Sequence, residues 1–159
     1  MKTRVLTLNW IGFVVGCLFA SGLVGGVALA EDAVYVGAET CAECHPDQFD
    51  RFVADSKKAH SFKSVKRMAG KLTAAELGEC YSCHTTGYGK PGGFVSEQET
   101  PQLKDTGCEV CHGPGSLHVE SEDPADLIDV TDTDNCLTCH SAERVAAFDF
   151  KPMLYGGAH

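Results

Sequence analysis

Apolar positions crowd the start of this chain and thin out afterwards. From Trp10 to about Val27 they run almost unbroken, behind Lys2 and Arg4 and ahead of the small residues Ala28-Leu29-Ala30. This layout predicts an export signal over 1–30, cleaved after Ala30, and one mature domain over 31–159. An uncleaved membrane anchor is the alternative, because the run is close to spanning length. A lipoprotein site at Val14-Val15-Gly16-Cys17 fits less well, since the residues after Cys17 stay apolar.

Beyond residue 30 the periodic segments are short. Phe49, Phe52 and Val53 share a face at helical spacing, so Asp47 to about Ser56 is expected to be a helix. Thr73 and Glu76 form a Thr-x-x-Glu capping box, which places a second helix signal over Lys71–Gly78. Gly87-Tyr-Gly-Lys-Pro-Gly-Gly93 is a turn cluster, and Phe94-Val95 after it is expected to be a short strand paired near Tyr88. Gly113-Pro-Gly115 breaks the chain. Asp123-Pro124 is expected to open a short helix through Ile128, and Ala142–Phe148 has helical propensity. Pro152 and Gly156-Gly157 loosen a tail that ends in His159.

Such a pattern leaves little apolar surface for a conventional core. Charge adds a second constraint. The formal net charge of −9 becomes −11 once Lys2 and Arg4 are removed. Lys57, Lys58, Lys63, Lys66, Arg67 and Lys71 cluster together, whereas Glu97 to Asp134 holds eleven acids and one base, Lys104. This polarity suits oriented docking of a partner as well as it suits a solvated surface. Nucleic acid is a poor partner at this net charge.

The cysteines supply what the apolar pattern lacks. Eight of the nine fall in four copies of Cys-x-x-Cys-His: Cys41/Cys44/His45, Cys80/Cys83/His84, Cys108/Cys111/His112 and Cys136/Cys139/His140. The ninth, Cys17, lies in the export signal. Cys-x-x-Cys-His is the attachment site of c-type haem. Two thiols take the porphyrin vinyl groups, and the next residue gives iron its proximal imidazole. Zinc ribbons also use paired Cys-x-x-Cys, but they do not require a histidine after every pair. The motif starts, at 41, 80, 108 and 136, are too unevenly spaced for a solenoid.

Four c-type haems are therefore expected on residues 31–159, and the porphyrins themselves must form the core. The expected class is mainly α with extensive loops and little regular sheet, wrapped around four covalently attached haems. Three histidines remain as distal ligands for four irons, His60, His118 and His159, so one iron is short. Met68 and Met153 are the remaining soft ligands, and packing against porphyrin is their expected role. Export agrees with this chemistry, because bacterial c-type haem is attached outside the cytoplasmic membrane.

Tyr35-Val-Gly-Ala-Glu-Thr-Cys41-Ala-Glu-Cys44-His45 with Ala59-His60 resembles the opening of the tetrahaem cytochrome c-554 family. So do Cys80-Tyr-Ser-Cys83-His84-Thr-Thr-Gly-Tyr-Gly-Lys-Pro-Gly-Gly-Phe and Gly107-Cys108-Glu-Val-Cys111-His112-Gly-Pro-Gly115. The resemblance implies closely stacked haem pairs, three bis-histidine irons and an open sixth position on the second. It implies that His60 ligates the third haem, His118 the first and His159 the fourth. This chain is shorter than the family pattern after motif three and has a very short tail after motif four.

The function expected from these features is periplasmic electron transfer between redox partner proteins, either quinol-linked or periplasmic oxidoreductases. Membrane association is expected only through an uncleaved N-terminal segment. A different class is an enzyme acting on a small nitrogen or oxygen species at a five-coordinate haem on His84. A third is a filament or other oligomer in which His159 ligates a haem of the next molecule.

Overall fold

The computed structural model describes residues 32–130 and 134–141. The expected export signal, the helical segment Ala142–Phe148, Met153 and His159 lie outside the described residues. Among the described residues seven short α-helices follow in order: α1 (Ala38–Ala42), α2 (Pro46–Asp55), α3 (Phe62–Met68), α4 (Ala74–His84), α5 (Glu109–His112), α6 (Ser116–Ser121) and α7 (Asp134–Leu137). Single 3-10 turns at Lys57–His60, Ala69–Lys71, Pro101–Leu103 and Pro124–Asp126 link them. Among the described residues no helix is long and apolar enough to cross a membrane.

Local signals explain most boundaries. α2 starts with Pro46 at its first position, where a missing N–H costs nothing, and the Arg51 Nε atom donates to the Asp47 carbonyl at 3.1 Å. Ser56 stops α2 in an extended conformation, and its hydroxyl accepts from the Lys58 N–H to start the next turn. α4 carries the expected capping box. Thr73 Oγ1 accepts from the Glu76 N–H, and Glu76 Oε2 accepts from the Thr73 N–H at 2.8 Å. This helix does not stop at Gly78 but runs through the second motif to His84.

Two expectations fail for identifiable reasons. Among the described residues there is no strand. Phe94 makes one ladder-like bond, from its N–H to the Thr86 carbonyl at 2.9 Å. The next N–H, of Val95, is taken by Thr100 Oγ1, so no ladder can propagate. After Asp123-Pro124 only one 3-10 turn forms. Leu127 turns extended, which lets the Ile128 N–H reach the His112 carbonyl at 2.8 Å.

The protein core is small. Phe62, Val65, Phe94 and Leu103 are its buried apolar residues, with Tyr35, Leu77, Cys80 and Tyr81 packed around them. Tyr81 meets Phe94 and Tyr88 edge-on at 5.2 and 5.4 Å, and Phe62 meets Phe94 edge-on at 5.7 Å. This cluster lies where α3 packs on α4, beside the second motif. The 87–93 loop reaches over it as a narrow turn, closed by Lys90 N–H to the Gly87 carbonyl and Gly93 N–H to the Lys90 carbonyl. A Cβ on Gly93 would sit 1.8 Å from the Gly87 oxygen, so no larger residue fits there. α1 packs on α2 and on the Pro101–Leu103 turn. Phe49, Phe52 and Val53 of α2 are half-buried and line an open groove with Ala38, Ala59 and Gly107.

Candidate haem sites

Each Cys-x-x-Cys-His segment winds through one helical turn. The histidine N–H reaches the first cysteine carbonyl at 2.9 Å in His45, 3.0 Å in His112 and 2.9 Å in His140. The second motif, Cys80 to His84, is the last turn and a half of α4. A helical turn brings residues three apart to one side, so both thiols of a pair face the same way and the histidine follows directly. None of the eight motif cysteines is in a disulfide. Cys44 is exposed and the other seven are half-buried.

The motifs meet in a spatial order unlike their order in the chain. Cys41 of the first hydrogen-bonds to Cys108 of the third. Donating to Cys108 holds the Cys41 thiol well above its usual value of 9.0, with burial adding to the effect, and Cys108 is correspondingly lowered. Burial raises Cys111, and Cys136 of the fourth motif adds a smaller effect in the same direction. Burial also raises Cys139, which interacts with Cys83 of the second motif. The Cys41–Cys108 pair joins motif one to three, the Cys139–Cys83 pair joins four to two, and the Asn135 amide, which donates to the Val110 and Cys111 carbonyls at 3.2 and 3.0 Å, joins four to three.

Two imidazoles are held through Nδ1, with Nε2 left available. The His84 Nδ1–H faces the Ser61 carbonyl at 3.2 Å, and the His118 Nδ1–H faces the Asp123 carbonyl at 3.0 Å. A carbonyl partner fixes the proton on Nδ1 and leaves the Nε2 lone pair for a metal, the usual arrangement around ligating histidines. The rings of His45 and His118 are nearly parallel, 15° apart, with centroids 6.2 Å apart. Two metal–imidazole bonds of about 2 Å each, plus the depth of both rings, give roughly this spacing. The chain joins these two histidines from α6 and from the turn after α1.

His60 is placed differently. It is exposed, and its Nε2 lies 3.1 Å from the Val53 carbonyl at the end of α2. His140 is held below its ordinary value by burial first and by the Lys58 ammonium second. Met68 is 55% exposed. Among the described residues no group of three or more His, Cys, Asp or Glu side chains converges as a metal site. The donor set instead fits porphyrin, which takes thiols in pairs along one turn and asks only imidazole of the protein as axial ligand.

Two polar clusters fix these turns, and neither is visible in the sequence. The first is the Glu109 carboxylate, inside the third motif and almost fully buried. Its Oε1 accepts from the N–H groups of Val36 at 2.9 Å and Gly115 at 2.8 Å, and its Oε2 from Gly37 at 2.8 Å. It thereby ties the approach to motif one and the Gly-Pro-Gly break to motif three. The second cluster joins motif two to the lead-in of motif three. The Ser61 hydroxyl donates to the His84 carbonyl at 2.8 Å and accepts from the Thr106 N–H at 2.9 Å. The Thr106 hydroxyl donates to the Cys83 carbonyl at 3.1 Å, and the buried Thr86 hydroxyl donates to the Asp105 carbonyl at 2.7 Å. The only sequence signal for either is a lone polar residue beside a motif, and that identifies no partner.

Helical turns that pair thiols and follow them with imidazole, repeated around a scant core, define a multihaem c-type cytochrome. A family model described as cytochrome c554 and c-prime matches residues 40–113. Cytochrome c-554 of Nitrosomonas europaea is 38% identical over 114 residues, covering 65% of this chain and 48% of that protein. The solved reduced state of cytochrome c554 from Nitrosomonas europaea superposes with a TM-score of 0.59 at 25% identity, covering 81% of this chain and 86% of that one. The chain is thus similar to cytochrome c-554, a c-type haem protein, in sequence and in fold. It spans about half the length of the curated relative.

Proposed function

We propose that this protein is a periplasmic electron carrier, exported by residues 1–30 and holding four haems on residues 31–159. The eight motif cysteines attach the porphyrins, and His45, His84, His112 and His140 are the proximal ligands. His118 completes the iron on His45, His60 the one on His112, and His159 the one on His140. The iron on His84 keeps an open sixth position. Bound haem supplies a one-electron iron couple. The chain contributes the thiol anchors, the imidazoles and the mutual placement of the sites. The observation that supports the reading is the set of hydrogen bonds that ties the motifs to one another: Glu109 of motif three to Val36 and Gly37 ahead of motif one, Thr106 ahead of motif three to Cys83 of motif two, and Asn135 ahead of motif four to Val110 and Cys111 of motif three. Partners are redox proteins of the quinol-linked or periplasmic kind.

Reductive titration of the holoprotein tests this. Reversible uptake of one electron per attached haem is expected, and failure to reoxidise would end the carrier reading. His118→Ala is a sharper probe of ligation. The variant should keep its full haem mass and gain a high-spin signal from one further iron in electron paramagnetic resonance. An unchanged low-spin population would remove His118 from the ligand set.

A further inference from the structure

One surface segment runs against the charge of the whole molecule. Residues 57–71 contain six cationic side chains and no acid, in a chain of net charge −9. α3 turns Phe62 and Val65 into the core, which sends Lys63, Lys66 and Arg67 outward. Lys57 and Lys71, on the flanking 3-10 turns, are exposed as well. Lys66 pairs with Glu97 at 2.8 Å. Among the described residues, no carboxylate pairs with Lys57, Lys63, Arg67 or Lys71. Met68 adds an exposed apolar contact in their midst. Lys58 is different, since it is half-buried.

The patch is also wired to a haem site. Ser61, directly before α3, donates its hydroxyl to the His84 carbonyl and accepts the His84 Nδ1–H on its own carbonyl. α3 packs on α4, the helix that carries the second motif. A protein resting on α3 therefore stands next to the second haem site.

We propose that the outward face of α3 and its flanking turns is the docking surface for a redox partner with an acidic face, and that electrons cross through the haem attached at Cys80 and Cys83. The proposal rests on the carrier reading and adds the surface, the charge of the partner and the point of entry. Cationic side chains around an apolar centre steer an acidic partner and orient it. One electron passes between iron and the partner's redox centre, and no covalent bond changes. Charge complementarity favours such a partner over a basic one, which the other acidic surfaces would bind without selecting a haem.

The sign of the salt dependence is the test. Plastocyanin, an acidic copper protein, serves as the oxidant probe, and its copper absorbance is followed in stopped flow against reduced holoprotein. Net charge alone makes the two proteins repel, so the rate would rise with salt. Docking at α3 makes the rate fall instead, by about tenfold or more as ionic strength goes from about 10 mM to about 200 mM. Lys63→Glu with Arg67→Glu should slow the low-salt reaction at least about tenfold and reverse the salt slope. Lys90→Glu with Lys104→Glu changes net charge equally, at exposed positions elsewhere, and should leave the slope falling.

A wild-type rate that rises with salt overturns the proposal, and so do equal losses in both double variants. If the α3 cations instead serve haem propionates, the α3 variant will shift a haem potential at high salt while the plastocyanin slope stays as in wild type, and the surface is again refuted. The carrier reading fails separately, when dithionite and ferricyanide alone cannot cycle the haems.

Discussion

Made without haem attachment, the chain is expected to show no cooperative unfolding transition and only a fraction of its helical circular dichroism. The longest described helix, α4, has 11 residues, and isolated helices below about 12–15 residues are marginal in water. Among the described residues only four apolar side chains are buried, too few to offset the ordering of so many loop residues. Covalent attachment and axial ligation supply what is missing, since whatever binds only the folded state contributes its binding free energy to folding. Removing one anchor should act regionally. Cys80→Ala with Cys83→Ala takes away the haem beside Phe62, Tyr81 and Phe94, and should lower the thermal midpoint far more than Cys136→Ala with Cys139→Ala, whose cysteines are not among the residues packed on that cluster. Mass spectrometry should find one haem fewer in each variant. A haem-free chain that melts cooperatively at a similar temperature would show that the polypeptide has a sufficient core of its own.

Glu109→Ala is expected to destabilise the holoprotein by about 3–5 kcal/mol, read from the denaturant midpoint. The variant strands the N–H groups of Val36, Gly37 and Gly115, and each stranded buried donor costs about 1–3 kcal/mol. Glu109→Gln should lose less. It keeps one acceptor oxygen, but it turns an amide N–H₂ toward a backbone donor. A second readout separates position from charge. The Tyr35 phenol is held above its ordinary 10.0 by burial first and by the Glu109 charge second. A raised value means that the fold favours neutral tyrosine. That contribution is whole below pH 10.0 and is lost as pH climbs through the raised value. In Glu109→Gln the phenol should titrate closer to 10.0, which alkaline difference spectra can follow. Because the carboxylate also sets Cys41 against Cys108, the Soret circular dichroism of the holoprotein should change in both variants. An unaltered midpoint in Glu109→Ala would mean that water satisfies the three donors without loss.

What the sequence disclosed was whatever is encoded within a few residues. The four attachment turns follow from five-residue patterns. The capping box of Thr73 and Glu76 and the start of α2 at Pro46 are equally local. An apolar pair after a turn, as at Phe94-Val95, looks like a strand, and nothing nearby reveals that Thr100 claims the Val95 N–H. Glycine at position 78 permits a helix stop but does not force one, and α4 continues past it. Glu109 was out of reach altogether, because its partners Val36 and Gly37 lie more than seventy positions away. The same holds for Ser61, whose contacts to His84 and Thr106 are 23 and 45 positions distant. Sites were legible one by one, and the side chains that set them against one another were not.

The facing of His45 and His118 has a bearing on biogenesis. If the polypeptide threads into the haem-attachment compartment N-terminus first, Cys41 and Cys44 emerge well before α6 does. With the proposed ligand set, a porphyrin taken up at Cys41 and Cys44 at that stage would have only His45 to offer its iron. Its second imidazole would come with α6, so completion of this site would wait for the later arrival of His118.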